Sequence, residues 1–336
     1  MPSTAESSQP RIPSSATTPL DGAAKLSANL SGVALAAFGA IAFSGKAIIV
    51  KLGYRHGVDA ITLIALRMAV ALPFFAAVAW FASRRPGVVP LSAADRGKIA
   101  VLGFLGYYLA SYLDFVGLEY VSASLERLIL YLNPTIVLLI GLFFFGRRVS
   151  GPQILALLLG YGGVVIAFVH DFHFGGRDIA FGSALVFGSA FAYAIYLVGC
   201  GELLRRVGAV RLTAYGSCIA ALCCLLHFAL TRPFELLLAL PAPVYTLSLL
   251  NGTLCTVIPV FAVMMAVDRL GASVASQIGM IGPVSTIVLA DVLLGEHMGP
   301  LQILGTVLVM AGVFIVSQHK AAPPVPRPHS TTRRSK

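Results

Sequence analysis

The sequence predicts an all-α integral membrane protein, with ten transmembrane helices arranged as two inverted five-helix repeats. Three observations carry this reading. Only 11% of the 336 residues are charged and 57% are hydrophobic, with mean hydropathy +0.87. Apolar runs of membrane-crossing length recur along the chain. The second half of the chain repeats the first at a constant offset. A soluble chain carries roughly one quarter charged residues to hold a solvated surface. With so few charges, lipid is the natural sink for the apolar surface.

An α-helix rises 1.5 Å per residue, so a hydrocarbon layer of ~30 Å needs about 20 apolar residues. Such runs predict helices over residues 30–51, 59–82, 98–118, 123–145, 151–169, 179–200, 211–230, 243–266, 271–294 and 300–318. Lipid offers the backbone no partners, so only helices and closed barrels cross it. These runs are too long and continuous for barrel strands. Residues 1–28 are rich in Ser, Thr, Ala and Pro and predict a disordered cytoplasmic tail. They lack the charged start and apolar stretch of a signal peptide. The first repeat covers 29–169, a connecting loop 170–178, the second repeat 179–318, and a basic cytoplasmic tail 319–336.

Loop charge sets orientation. With the N-terminus in the cytoplasm, the inside segments carry Arg11, Lys25, Arg84, Arg85, Arg96, Lys98, Arg147, Arg148, Arg205, Arg206, Arg211, Arg269 and the basic tail. The outside segments carry only Lys51, Arg55, Arg127, Arg177 and Arg232. Ten spans return the C-terminus to the cytoplasm, whereas nine or eleven spoil the alternation. The expected location is the inner (plasma) membrane.

The repeat aligns without gaps. Residues 117–168 match 266–317 with Pro134 on Pro283, an offset of 149 (283 − 134). Gly146 then meets Gly295, Gln153-Ile154-Leu155 meets Gln302-Ile303-Leu304, and Phe38-Gly39 meets Phe187-Gly188. Five is odd, so the second copy enters the membrane from the opposite side. Inverted repeats are a common transporter plan, in which two related halves rock about a central site.

The residues that carry a family resemblance are LEYVSAS…LNPTIVLLIGLFFFGRRVSGPQ, RLGASVAS…IGPVSTIVLADVLLGEHMGPLQ, Lys51-Leu52-Gly53 and Ala65-Leu66-Arg67. Over residues 30–318 the chain resembles the EamA-type transporters of the drug/metabolite transporter superfamily. The resemblance implies export of small metabolites, amino acids or drugs. The family often has Gly-Glu-Arg after helices 4 and 9, where this chain has Gly146-Arg147-Arg148 and Gly295-Glu296-His297.

Candidate site residues follow from what is costly in lipid. A charge near the bilayer centre costs at least ~2.5 kcal/mol, so it needs a partner or water. Lys46, Arg67, Asp114, Glu126 and Arg127 all fall in the outer part of the first half, and their counterparts Ile195, Gly216, Val263, Ala275 and Ser276 are uncharged. Lys46 and Arg67 are the expected holders of an anionic group. Glu126 and Asp114 are the expected counter-charges, with protons as the coupling ion. The alternative is a static outer network, and Arg127 reads as a residue that snorkels to headgroups. Pro134 and Pro283 each remove a backbone donor at matched positions, which marks either a central site or a packing kink. Phe43, Ser44, Tyr112, Tyr131 and Gln277 are the further candidates for substrate contact.

Other functions fit less well. The net charge of +10 sits between apolar runs and in the tails, without a basic surface interleaved with aromatics, so nucleic acid is not an expected partner. The five cysteines lack metal spacing. His170, Asp171 and His173 read as solvated loop residues. No nucleophile elbow, His-Glu-x-x-His or Gly-x-x-x-x-Gly-Lys-Ser/Thr is present, which argues against an enzyme and against ATP-driven transport. A passive channel and multidrug efflux of cationic or aromatic compounds are the remaining alternatives. No cofactor is expected, the partners are a small molecule and the bilayer, and oligomeric state is left open.

Overall fold

A computed structural model describes residues 19–146 and 149–318, without the side chains of 19–29, 173–176, 202, 272, 273 and 276. Both tails beyond these limits, with Arg147 and Arg148, lie outside the described residues. Ten helices are long and apolar enough to cross a membrane. They are α1 (Leu30–Arg55), α2 (Ala60–Ser83), α3 (Ala93–Leu118), α4 (Ala123–Phe145), α5 (Gly151–Phe172), α6 (Arg177–Gly201), α7 (Ala209–Thr231), α8 (Ala242–Leu270), α9 (Gln277–Leu294) and α10 (Pro300–Gln318). Among the described residues there is no strand.

The loops after odd-numbered spans gather at one end of the bundle, here the odd-loop end. Those after even-numbered spans form the even-loop end. Two boundaries differ from the sequence reading. Helix continues back from α1 to Pro19, into the segment assigned to a tail. Helical hydrogen bonding also runs unbroken from Gly151 to Val207, through the expected loop at 170–178. Apolar content ends at the lipid boundary, but helical hydrogen bonding need not, and that difference escapes a hydropathy argument.

Local chemistry sets the helix ends. Ser92 and Asp95 form a capping box at the start of α3, each side chain accepting from the other residue's N–H. Gly146 (φ 60°) and Gly295 (φ 70°) end α4 and α9 in the left-handed conformation that glycine adopts without strain. These two are repeat counterparts.

The matched prolines do what their chemistry requires. Helix α4 breaks after Leu130 and resumes at Asn133, with Pro134 in the first turn of the new segment. The segment leading into α9 breaks after Gly279 and resumes at Ile281, just ahead of Pro283. Leu130 and Gly279 are again counterparts. A second matched irregularity is a π-helical turn at Phe104–Leu109 in α3 and at Thr253–Val257 in α8, beginning at equivalent positions. Such turns often mark functional sites.

Packing between the halves is reciprocal. A Cβ on Gly163 would lie 2.5 Å from the Gly305 carbonyl oxygen, and one on Gly312 would lie 2.7 Å from that of Ala156. Under the offset, 163 maps to 312 and 156 to 305, so this is one contact made twice. It also pairs α5 and α10 antiparallel. Gly103 against the Gly216 carbonyl oxygen (3.0 Å) returns as Gly252 against that of Arg67 (2.9 Å). This reciprocity is the pattern an inverted pair of repeats produces. Small residues let helix backbones approach this closely in lipid. A Cβ on the neighbouring Gly162 would meet nothing within 4 Å.

Candidate functional site

The reciprocal halves enclose a central cavity of about 490 Å³. Repeat counterparts face each other across it: Gly106 and Cys255, Tyr107 and Thr256, Ser111 and Val260, Asp114 and Val263, Met68 and Ser217. The first two pairs come from the π turns, which rotate those residues into the cavity wall. A second chamber of about 460 Å³ shares Phe43, Arg127, Leu130, Tyr131, Tyr193 and Val263 with the first. It continues past Ala36, Val267 and Ala275 in the even-loop parts of α1, α8 and the lead into α9. The cavity therefore extends toward the even-loop end.

Charge lines only one side. Lys46 donates to Asp114 Oδ2, and its Nζ lies 3.2 Å from Glu126 Oε1. Asp114 is 2% exposed and Glu126 fully buried, so one ammonium serves two carboxylates that water barely reaches. Arg67 donates to Ser111 Oγ at 3.0 Å and lies over the Phe115 ring at 4.6 Å, yet its Nε is buried without a partner. Arg127 donates from Nε to Thr286 Oγ1 at 3.0 Å and from an NH2 group to the Phe43 carbonyl at 2.9 Å. Among the described residues neither arginine forms an ion pair. Two guanidiniums lacking carboxylates, each presenting a planar fork, suit an incoming carboxylate or phosphate.

The comparisons with known proteins agree with this architecture. The model of the EamA-like transporter family matches residues 30–169 and again 180–318. The chain belongs to the EamA-like transporter family. A Bacillus subtilis relative described as the uncharacterized transporter YcbK is 30% identical over 302 residues, covering 85% of this chain and 91% of the relative. An uncharacterized transporter of Archaeoglobus fulgidus is 24% identical over 282 residues, covering 83% and 95%. A solved structure described only as that of a protein superposes with TM-score 0.58 at 18% identity, covering 87% of this chain and 97% of its own. That likeness supports the fold alone. The EamA relatives are described as transporters, which are not enzymes.

Of the sequence candidates, Phe43, Lys46, Arg67, Asp114 and Tyr131 line the central cavity, and Pro134 lines the second chamber. Glu126 stands behind them through Lys46. Ser44 is fully buried and donates to the Ala40 and Gly282 carbonyls, both at 2.8 Å, joining α1 to α9. Tyr112 packs on Tyr108 and His227. Neither Ser44 nor Tyr112 is among the cavity-lining residues, and neither are Gln277 and Pro283.

Sequence reasoning missed three features. Arg127 lines the cavity, because the break after Leu130 and its two hydrogen bonds hold it inward; the 127-131-134 helical spacing was the available signal. Asn133 also lines it, with Nδ2 donating to the Leu130 carbonyl and Oδ1 buried and unpaired. Asp171 is buried, and it accepts from Gln302 and from Ser122.

Proposed function

We propose that this EamA-family protein is a secondary transporter that exports a small carboxylate-bearing metabolite by alternating access, with amino acids as the first substrate class. The observation that carries this reading is the pair Arg67 and Arg127 in the central cavity, neither of them engaged by a protein carboxylate. A cavity of about 490 Å³ falls in the range of small-ligand sites, and Phe43, Phe75, Tyr107, Tyr131 and Tyr193 supply apolar walls. Arg67 and Lys46 hold the anionic group, with Arg127 beside them. Asp114 and Glu126 are the exchangeable counter-charges and the groups through which a proton is coupled. Loop charge supports a cytoplasmic position for both termini. The even-loop end, toward which the cavity extends, is then cytoplasmic, which suits loading from inside a plasma membrane.

The test is counterflow in proteoliposomes preloaded with mixed unlabelled amino acids. Saturable uptake of one labelled class, reduced at least about tenfold by Arg67→Met, supports the reading. Exchange that Arg67→Met leaves intact argues against an anion site here. Uptake of aromatic cations instead favours the multidrug alternative, which the aromatic walls would serve.

A further inference from the structure

Ala123, Arg127 and Tyr131 follow one another at intervals of four, so they share one face of α4. Each is bonded to α9 or to the residues just after it. The Ala123 N–H donates to Glu296 Oε2 at 2.9 Å. Arg127 donates from Nε to Thr286 Oγ1 at 3.0 Å and from an NH2 group to the Phe43 carbonyl of α1 at 2.9 Å. The Tyr131 hydroxyl donates to the Gly279 carbonyl at 2.8 Å. The partner numbers fall as the α4 numbers rise, so the two helices run antiparallel and these contacts form one seam between the repeats. It begins at the odd-loop start of α4 and ends in the cavity wall.

The sequence provides for the Tyr131 contact. Pro283 has no N–H, so the carbonyl four residues back, that of Gly279, loses its helical donor. The phenol of the other repeat supplies one. Gly282 makes the room, since a Cβ there would lie 2.6 Å from the Tyr131 hydroxyl oxygen. At the matching break Pro134 releases the Leu130 carbonyl, and Asn133 of the same helix serves it. The counterparts of Tyr131 and Asn133 are Met280 and Gly282, neither of which carries a side-chain donor. The matched prolines thus have different products, a local turn in α4 and a bond between repeats at α9. That gives Pro283 a use although it does not line the cavity.

Arg127 belongs to the seam and to the cavity, because it lines both chambers. Its acceptors are a neutral hydroxyl and a neutral carbonyl. A guanidinium bonds more strongly to a carboxylate, and can do so through two parallel bonds. A carboxylate that enters the cavity therefore outcompetes Thr286 and Phe43 for Arg127.

We propose that Arg127 and Tyr131 close the odd-loop side of the cavity through this seam, and that a substrate carboxylate opens it by taking Arg127 from Thr286 and Phe43. This rests on the carboxylate-carrier reading above. The loaded carrier then changes sides quickly, while the empty one keeps its seam and changes sides slowly.

The test compares net efflux with exchange. Proteoliposomes loaded with labelled mixed amino acids are diluted either into medium free of amino acids or into the same mixture unlabelled. Exchange by the parent should exceed net efflux at least about tenfold, the equivalent of one charge-assisted hydrogen bond. Thr286 lines neither chamber, and Thr286→Val removes an acceptor of Arg127. Tyr131→Phe removes the phenol donor. They should raise net efflux toward the exchange rate by about tenfold and about fivefold. Misfolding lowers both rates together and does not change their ratio. Ser285→Ala, which removes a hydroxyl bonded to the Ile281 carbonyl of its own helix, should leave the ratio as it is.

A second arm separates gating from leakage. Val263→Cys, which lines both chambers, is placed in a chain whose five cysteines are alanine. A small impermeant methanethiosulfonate is applied from the odd-loop side without amino acids, with sidedness fixed by a separate His56→Cys chain. Thr286→Val should raise this labelling about tenfold. Equal exchange and net efflux in the parent, an unchanged ratio and labelling rate in Thr286→Val and Tyr131→Phe, or an equal response in Ser285→Ala overturns the seam, while saturable exchange keeps the carrier reading standing. Absence of saturable exchange in the parent sinks the carrier reading, and the seam's opening by substrate with it.

Discussion

Removing Lys46 is the sharpest test of the charge arrangement. Asp114 and Glu126 are 2% and 0% exposed, and among the described residues Lys46 is the cation that forms an ion pair with either. Arg67 and Arg127 are committed to Ser111, Thr286 and the Phe43 carbonyl. Breaking a buried pair by deleting one partner costs about 3–5 kcal/mol, because it strands a charge. The Lys46 side chain is 15% exposed, so some water can enter its place, and the lower figure of about 3 kcal/mol is expected. Neutralising all three groups leaves no buried charge stranded. Unfolding in mild detergent should therefore show Lys46→Ala destabilised by about 3 kcal/mol, with the triple variant Lys46→Ala, Asp114→Asn, Glu126→Gln recovering to within about 1 kcal/mol of wild type. A Lys46→Ala protein as stable as wild type, or a triple variant no better than the single one, refutes the reasoning.

Two further outcomes follow from particular contacts. Gly163→Ala places a Cβ 2.5 Å from a backbone oxygen of α10, an overpacking that should cost about 1–3 kcal/mol in the same unfolding assay. Gly162→Ala meets nothing within 4 Å and should be near neutral; equal effects of the two would contradict the packing account. Burial pushes the Glu296 carboxyl above the ordinary glutamate range, with Lys51, the Ala123 N–H and Arg55 opposing and Asp171 adding to the rise. Asp291 and His297 lie on its own segment. A carboxyl whose pKa is raised on folding contributes stability below the ordinary glutamate value and loses that contribution as pH rises through the raised pKa. Unfolding in mild detergent should thus show stability falling as pH rises from the free-glutamate value of about 4.3 through that range. The same pH response in Glu296→Gln would assign it to another group.

Much of the fold was legible because the lipid core demands helices of fixed length, and ten apolar runs declare them. The helix breaks were legible through Pro134 and Pro283, since a missing donor leaves a mark in sequence. The π turns at Phe104–Leu109 and Thr253–Val257 were not, since no residue type is required for them. At the site, cost in lipid singled out Lys46, Asp114 and Glu126, but not their pairing, which joins positions 68 apart in the chain. Arg127 was read as snorkelling because hydropathy gives depth along a helix and not the direction a side chain faces. Asp171 was read as solvated because its partner Gln302 lies 131 positions away.

The central claim is that the substrate sits between Arg67 and Arg127 in the cavity shared by the two halves. The direct measurement is protection of Val263→Cys from methanethiosulfonate by whichever compound exchanges in counterflow. The account predicts saturable protection that Arg67→Met weakens at least about tenfold. A compound that is transported yet leaves the labelling rate of Val263→Cys unchanged would place the binding site elsewhere and contradict the account.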